Sequence, residues 1–183
     1  MTRTRFAALL IAAALLPAIG GCTHPAPAAP VVVPTATNSF GGTDLAWIEI
    51  NIAMNDQVLP LVALVPTRSA DPALTRLSAQ VQTSATAELA TLHVLHDQAG
   101  LPPENPHEGM LMPGLVPTDA VTEAAELSGP PFDAAVRDQL KNYLEQSRRL
   151  AQDEQKSGTD PQTRTLATST ATTRDAALRQ LAA

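Results

Sequence analysis

The feature that most constrains this chain is a repeat at a fixed offset. Shifted by 89 residues, the sequence falls on itself without a gap: Asp44 on Asp133, Ala46 on Ala135, Gln57 on Gln146, Leu61 on Leu150. Further along, Asp71-Pro72 falls on Asp160-Pro161, Leu77 on Leu166, Leu89 on Leu178 and Leu92 on Leu181. A constant offset over two long segments points to two copies of one supersecondary unit. Each copy reads as a helix pair. In the first, Trp47, Ile50, Met54, Val58, Leu61 and Val65 recur three and four residues apart, which predicts a helix over 44–65 with Thr43 as its N-cap. Pro60 inside that run is expected to kink it or end it early. The second helix opens on Asp71 as N-cap with Pro72 in first position, carries Leu74, Leu77, Val81, Ala85, Leu89, Leu92 and Leu95, and stops at Gly100.

The second copy repeats the plan. A helix is expected over 131–157, with Val136, Leu140, Tyr143, Ser147 and Leu150 facing inward, and another over 160–181. A short helix over 118–127 lies in the Pro-rich connection. Threonines crowd the first half of the last helix, and Thr is a mediocre helix former, so that helix depends on docking. Only five aromatic residues occur, and Ala and Leu dominate the apolar content, which favours packed helices over sheets. The fold class is therefore all-α: a four-helix bundle of two tandem helix-pair repeats with a short extra helix in the connection. Repeat one covers 44–100, the connection 101–130, and repeat two 131–183.

Residues ahead of the bundle concern location. Arg3 and Arg5 precede an apolar run from Phe6 to about Ala18, too short to span a bilayer and suited to a secretory leader. The run ends in Ile19-Gly20-Gly21-Cys22, which resembles the bacterial lipobox: a leader over 1–21 is removed and the thiol of Cys22 diacylated. Two acyl chains suffice for stable anchoring. Residues 22–43 hold Pro25, Pro27, Pro30 and Pro34 among Ala, Val and Thr and read as a semi-rigid tether. Cys22 is the only cysteine, so disulfide frameworks and Cys-rich zinc sites are excluded. Removing Arg3 and Arg5 from the 12 bases leaves 10 against 18 acids, a formal charge of −8, which argues against nucleic acid as a partner. The expected location is the extracytoplasmic face of the cell membrane, anchored through Cys22, with an envelope protein as a possible partner.

The helix pairs, the Met112-Pro113-Gly114 connection and the segment Leu127-Ser128-Gly129-Pro130-Pro131-Phe132-Asp133 resemble the domain-of-unknown-function-305 family, small exported bacterial proteins with a ferritin-like bundle. Asp44-Leu45-Ala46-Trp47, Asp56-Gln57 and Glu88-Leu89 match further family positions. The resemblance implies a paired-histidine motif on the first helix of each repeat and, in some members, copper binding. Here those pairs fall on Met54-Asn55 and Tyr143-Leu144. Both are missing, so the ligands the resemblance implies are lost.

Other chemistry is sparse. His93 and His96, with His107, Met110 and Met112, form a thioether and imidazole set of the kind Cu(I) accepts, so copper is the alternative to no cofactor at all. Glu88 and Glu154 project inward and are expected to pair with Arg148, Arg149 or His96. No phosphate loop, nucleophile elbow or zinc-protease motif occurs. The sequence thus reads as a non-catalytic interaction or structural module, with a copper-binding protein as the alternative and an enzyme with a dispersed site third.

Overall fold

The computed structural model describes residues 39–183. The expected leader, the expected lipidation site Cys22 and most of the tether lie outside those residues. Residues 37–183 form one compact unit, and it contains the whole core found among the described residues.

Five helices follow one another: α1 (Gly42–Arg68), α2 (Pro72–Ala99), α3 (Thr118–Ala125), α4 (Gly129–Ser157) and α5 (Pro161–Leu181). No strand occurs among the described residues. α1 packs on α2 and α4, and α5 packs on α4 and α2, so the four long helices stand at the corners of a square. Contacts at the two ends fix their directions. Asp44, at the start of α1, binds Thr159 and Asp160 at the start of α5. At the other end, Arg137 of α4 bonds Asp71 ahead of α2 at 2.6 Å. Neighbouring helices are therefore antiparallel, and the 100–128 connection returns along the length of the bundle. One long crossover of this kind is the ferritin-like arrangement.

The repeat is visible in the caps. Asp71 accepts from the N–H groups of Ala73 and Leu74, and Asp160 from those of Gln162 and Thr163, each ahead of a proline in first position. The first helix begins differently from its sequence expectation. Gly41, not Thr43, is the N-cap, because the Asp44 carboxylate reaches back to the Gly41 N–H at 2.7 Å. Residues 39–43, expected to belong to the tether, lie on the bundle: Phe40 packs on the core, and Gly42 opens α1.

Nor does Pro60 end α1, which continues through it and Pro66 to Arg68. Pro60 is exposed, so the carbonyl deprived of its partner lies on the solvent side. α3 ends at Ala125, two residues short of expectation, and α4 starts two residues early, at Gly129. In α5 the exposed Thr165, Thr168 and Thr172 and the half-buried Thr173 each bond the carbonyl four residues back, while Thr163 and Thr170 are buried.

Gly114 lets the connection approach the bundle. Its φ is +86°, and a Cβ there would lie 2.4 Å from the Gln146 Cβ. Leu115 and Val116, next in the chain, are buried in the core. That core is in two parts. One gathers Met54, Val58, Leu61, Leu74, Leu77, Phe132, Val136 and Leu140. The other gathers Trp47, Ile48, Ile52, Leu92, Leu95, Ala151 and Ala167. On α2, α4 and α5 the two parts meet at a polar residue, Glu88, Ser147 and Arg174.

Candidate functional site

The polar residues between the two core clusters form one layer across the bundle: Asn55 from α1, Glu88 from α2, Tyr143 and Ser147 from α4, and Arg174 from α5. The Arg174 side chain is 0% exposed. Its Nη1 donates to Glu88 Oε1 at 3.0 Å and its Nη2 to Oε2 at 2.5 Å, a two-point pair. Nη2 also reaches the Tyr143 hydroxyl at 2.7 Å, and Nε reaches Ser147 Oγ at 3.1 Å. Tyr143 donates to Asn55 Oδ1 at 2.5 Å, and Asn55 Nδ2 donates to Glu88 Oε2 at 3.3 Å. The Arg174 Cζ lies 4.9 Å from the centre of the Tyr143 ring.

Electrostatics match that geometry. Burial alone would favour loss of the Arg174 proton, but Tyr143 and Glu88 outweigh it and hold the guanidinium in its charged form. Burial drives the Tyr143 hydroxyl well above its ordinary range, so it stays a neutral donor. One cation faces one carboxylate, and every side chain in the layer has a partner. These five residues thus make their hydrogen bonds chiefly to one another.

The layer is also one-sided with respect to the repeat. At the 89-residue offset Arg174 corresponds to Ala85, Glu88 to Ala177, Asn55 to Leu144, Tyr143 to Met54 and Ser147 to Val58. Each polar member has an apolar counterpart, so the symmetry-related position is ordinary core. The four positions to which the resemblance assigns histidines, Met54, Asn55, Tyr143 and Leu144, are all buried, and two of them belong to the layer.

A second buried polar group lies at the end of the bundle where α1 begins. Asp44 accepts from the N–H groups of Gly41, Thr159 and Asp160 and from the Thr159 hydroxyl, and these bonds hold its carboxyl down to about 2 even though burial opposes them. Glu154, 0% exposed, is pushed up to about 8, first by burial and then by Asp44 beside it. The pairings expected for the two inward glutamates are therefore corrected. Glu88 is partnered by Arg174, and Glu154 faces Asp44, because its place on the last turn of α4 turns it toward the start of α1. Arg148 instead pairs with Asp175, Arg149 with Gln146, and His96 with the Pro102 carbonyl.

Of the histidines and methionines proposed for copper, two stand on α2 and three on the connection. His93 is exposed on α2, and His96 is tied to the end of that helix. His107 and Met110 belong to the connection, while Met112 packs on the core. Among the described residues no group of three His, Cys, Asp or Glu side chains converges as a metal site would require.

Arg174 was not singled out by sequence reasoning. Its signal was its place in the stripe Thr163, Ala167, Thr170, Arg174, Ala177, spaced four, three, four and three residues apart, where an arginine interrupts small residues.

The family model described as Domain of unknown function (DUF305) matches residues 44–183. No curated protein matches the sequence. Similar solved structures include two DUF305 proteins. A DUF305 fragment from Deinococcus radiodurans superposes with a TM-score of 0.68 at 15% identity, covering 78% of this chain and 94% of that one. A DUF305 protein from Streptomyces coelicolor also gives a TM-score of 0.68 at 15% identity, covering 76% and 89%. At that identity the likeness carries the fold and nothing further.

Proposed function

The chain belongs to the DUF305 family, and from that premise we propose that it is an envelope-anchored lipoprotein whose helical bundle is a non-catalytic interaction or structural module. The observation that carries this reading is the hydrogen-bonded layer in the core. Where a bundle of this type would build a metal or catalytic centre between its helices, the interior holds Arg174 hydrogen-bonded to Glu88, Tyr143 and Ser147, with the cation facing a carboxylate. Buried networks of this sort are high-stakes for stability and specify one packing.

The anchoring half of the proposal rests on Cys22 behind a short apolar run, a site for acyl chains that hold the bundle at the membrane surface. Its test is fractionation of wild-type and Cys22→Ala chains. The wild type is expected in the membrane fraction and the variant in the soluble one; unchanged partition would contradict anchoring. The copper alternative has its own test. Stoichiometric copper binding abolished by His107→Ala or Met110→Leu would replace the module by a metal-handling protein.

A further inference from the structure

Beside the core, an open groove runs along the outside of α1, roofed by the connection and α3. Its deeper lobe, of about 340 Å³, has an apolar floor of Ile52, Ala53 and Val116 and two carboxylates, Asp56 and Glu108, on its wall. A second lobe of about 400 Å³ shares Gln57, Glu108 and Thr118 with the first and continues past Met110 and Leu111 to Asp119. Cavities of this size and lining suit a small organic ligand.

Three observations converge on one occupant. Neither Asp56 nor Glu108 takes part in an ion pair among the described residues. Desolvation by the groove wall raises the Asp56 carboxyl above its ordinary range and Glu108 adds to that, while His93 opposes it. A cation placed between the two carboxylates would relieve both effects. Finally, two of the four large hydrophobic residues that stand exposed among the described residues, Met110 at 45% and Leu111 at 88%, border this same groove. Apolar surface beside two carboxylates complements a ligand that is apolar along its body and positive at its head.

We infer that the groove formed by α1, the connection and α3 binds an organic ammonium with an aliphatic body, its head between Asp56 and Glu108 and its chain over Ile52, Val116 and Leu111. This deepens the module reading by giving the bundle a ligand class. The two fail separately, since metal binding in the core would leave the groove untouched.

The test is an amide-shift titration of residues 37–183 with n-octylammonium chloride, with 1-octanol and sodium octanoate as charge controls. The ammonium is expected to bind saturably, shifting residues around Ile52, Val116 and Leu111, with the alcohol about 10-fold or more weaker and the carboxylate weaker still. The double variant Asp56→Asn, Glu108→Gln, both at exposed positions, should keep the wild-type spectrum and lose about 10-fold in affinity for the ammonium. Leu111→Ser should weaken the ammonium and the alcohol alike. No binding of the ammonium, equal binding of the alcohol, undiminished binding by the double variant, or shifts centred elsewhere would each overturn the inference.

Discussion

Arg174 and Glu88, 86 residues apart in sequence, face each other in the middle of the bundle as a two-point ion pair, Nη1 to Oε1 at 3.0 Å and Nη2 to Oε2 at 2.5 Å. The pair joins α5 to α2, and through Tyr143, Ser147 and Asn55 it reaches α4 and α1 as well. A single guanidinium therefore touches all four long helices. Removing one partner of a buried pair costs far more than the pair contributes over an apolar replacement, because the remaining charge is left in a dry interior.

Replacing Arg174 alone by Met is accordingly expected to lower stability by about 3–5 kcal/mol, measured by chemical denaturation. Replacing the whole layer with apolar residues (Arg174→Met, Glu88→Leu, Asn55→Leu, Tyr143→Phe, Ser147→Ala) should recover most of that loss, as the apolar counterparts one repeat away suggest. Arg174→Lys should not rescue, since an ammonium cannot reproduce the planar fork on Glu88. If the single variant is as stable as wild type, the pair is not structural.

Tyr143→Phe deletes the donor to Asn55 and an acceptor of Arg174 Nη2 while keeping the ring against the guanidinium. Its expected cost is about 1–3 kcal/mol, smaller than that of Arg174→Met because Nη2 and Asn55 keep other partners. An equal or larger loss would mean that the hydroxyl, not the ion pair, organises the layer.

Stability should depend on pH through Glu154. Its carboxyl is raised from 4.5 to about 8, so the folded chain holds a proton that the unfolded chain releases. The stabilisation is fully present below pH 4.5 and is lost as pH rises toward about 8. Asp44 acts at the other limit: its carboxyl lies at about 2 rather than 3.8, and its contribution disappears as pH falls through that interval. Thermal denaturation between pH 5 and pH 8 is expected to show a falling melting temperature that Glu154→Gln flattens. A variant with an undiminished slope would assign the dependence to another group.

Much of the architecture was legible in the sequence because it is written locally. Asp71-Pro72 and Asp160-Pro161 mark two helix starts that the structure caps in the same way. The apolar stripes of α1, α2 and α4 are continuous enough to orient those helices. The central layer was less legible, since its meaning is not local. Glu88 and Tyr143 were placed inward, but the partner they share is 31 residues beyond Tyr143, on a helix whose threonines masked its buried stripe. Asp44 likewise matches a family opening in sequence, yet its work is to bind the backbone at Thr159 and Asp160, a pairing that only the folded chain reveals.

That pairing makes its own prediction. Asp44→Ala should remove the shared cap of α1 and the start of α5 and speed amide exchange at Gly41, Thr159 and Asp160 relative to the middle of α4. Uniform acceleration across the bundle would indicate global destabilisation instead of a local latch.

We propose that the bundle interior, occupied by Arg174 and its partners, holds no metal. This is tested most directly by titrating residues 37–183 with Cu(I), Cu(II), Zn(II) and Fe(II) against a coloured chelator while the melting temperature is followed. No stoichiometric binding and no rise in melting temperature are expected with any of the four ions. One equivalent of tightly bound metal per chain, lost on substitution of Asn55, Glu88 or Tyr143, would contradict it.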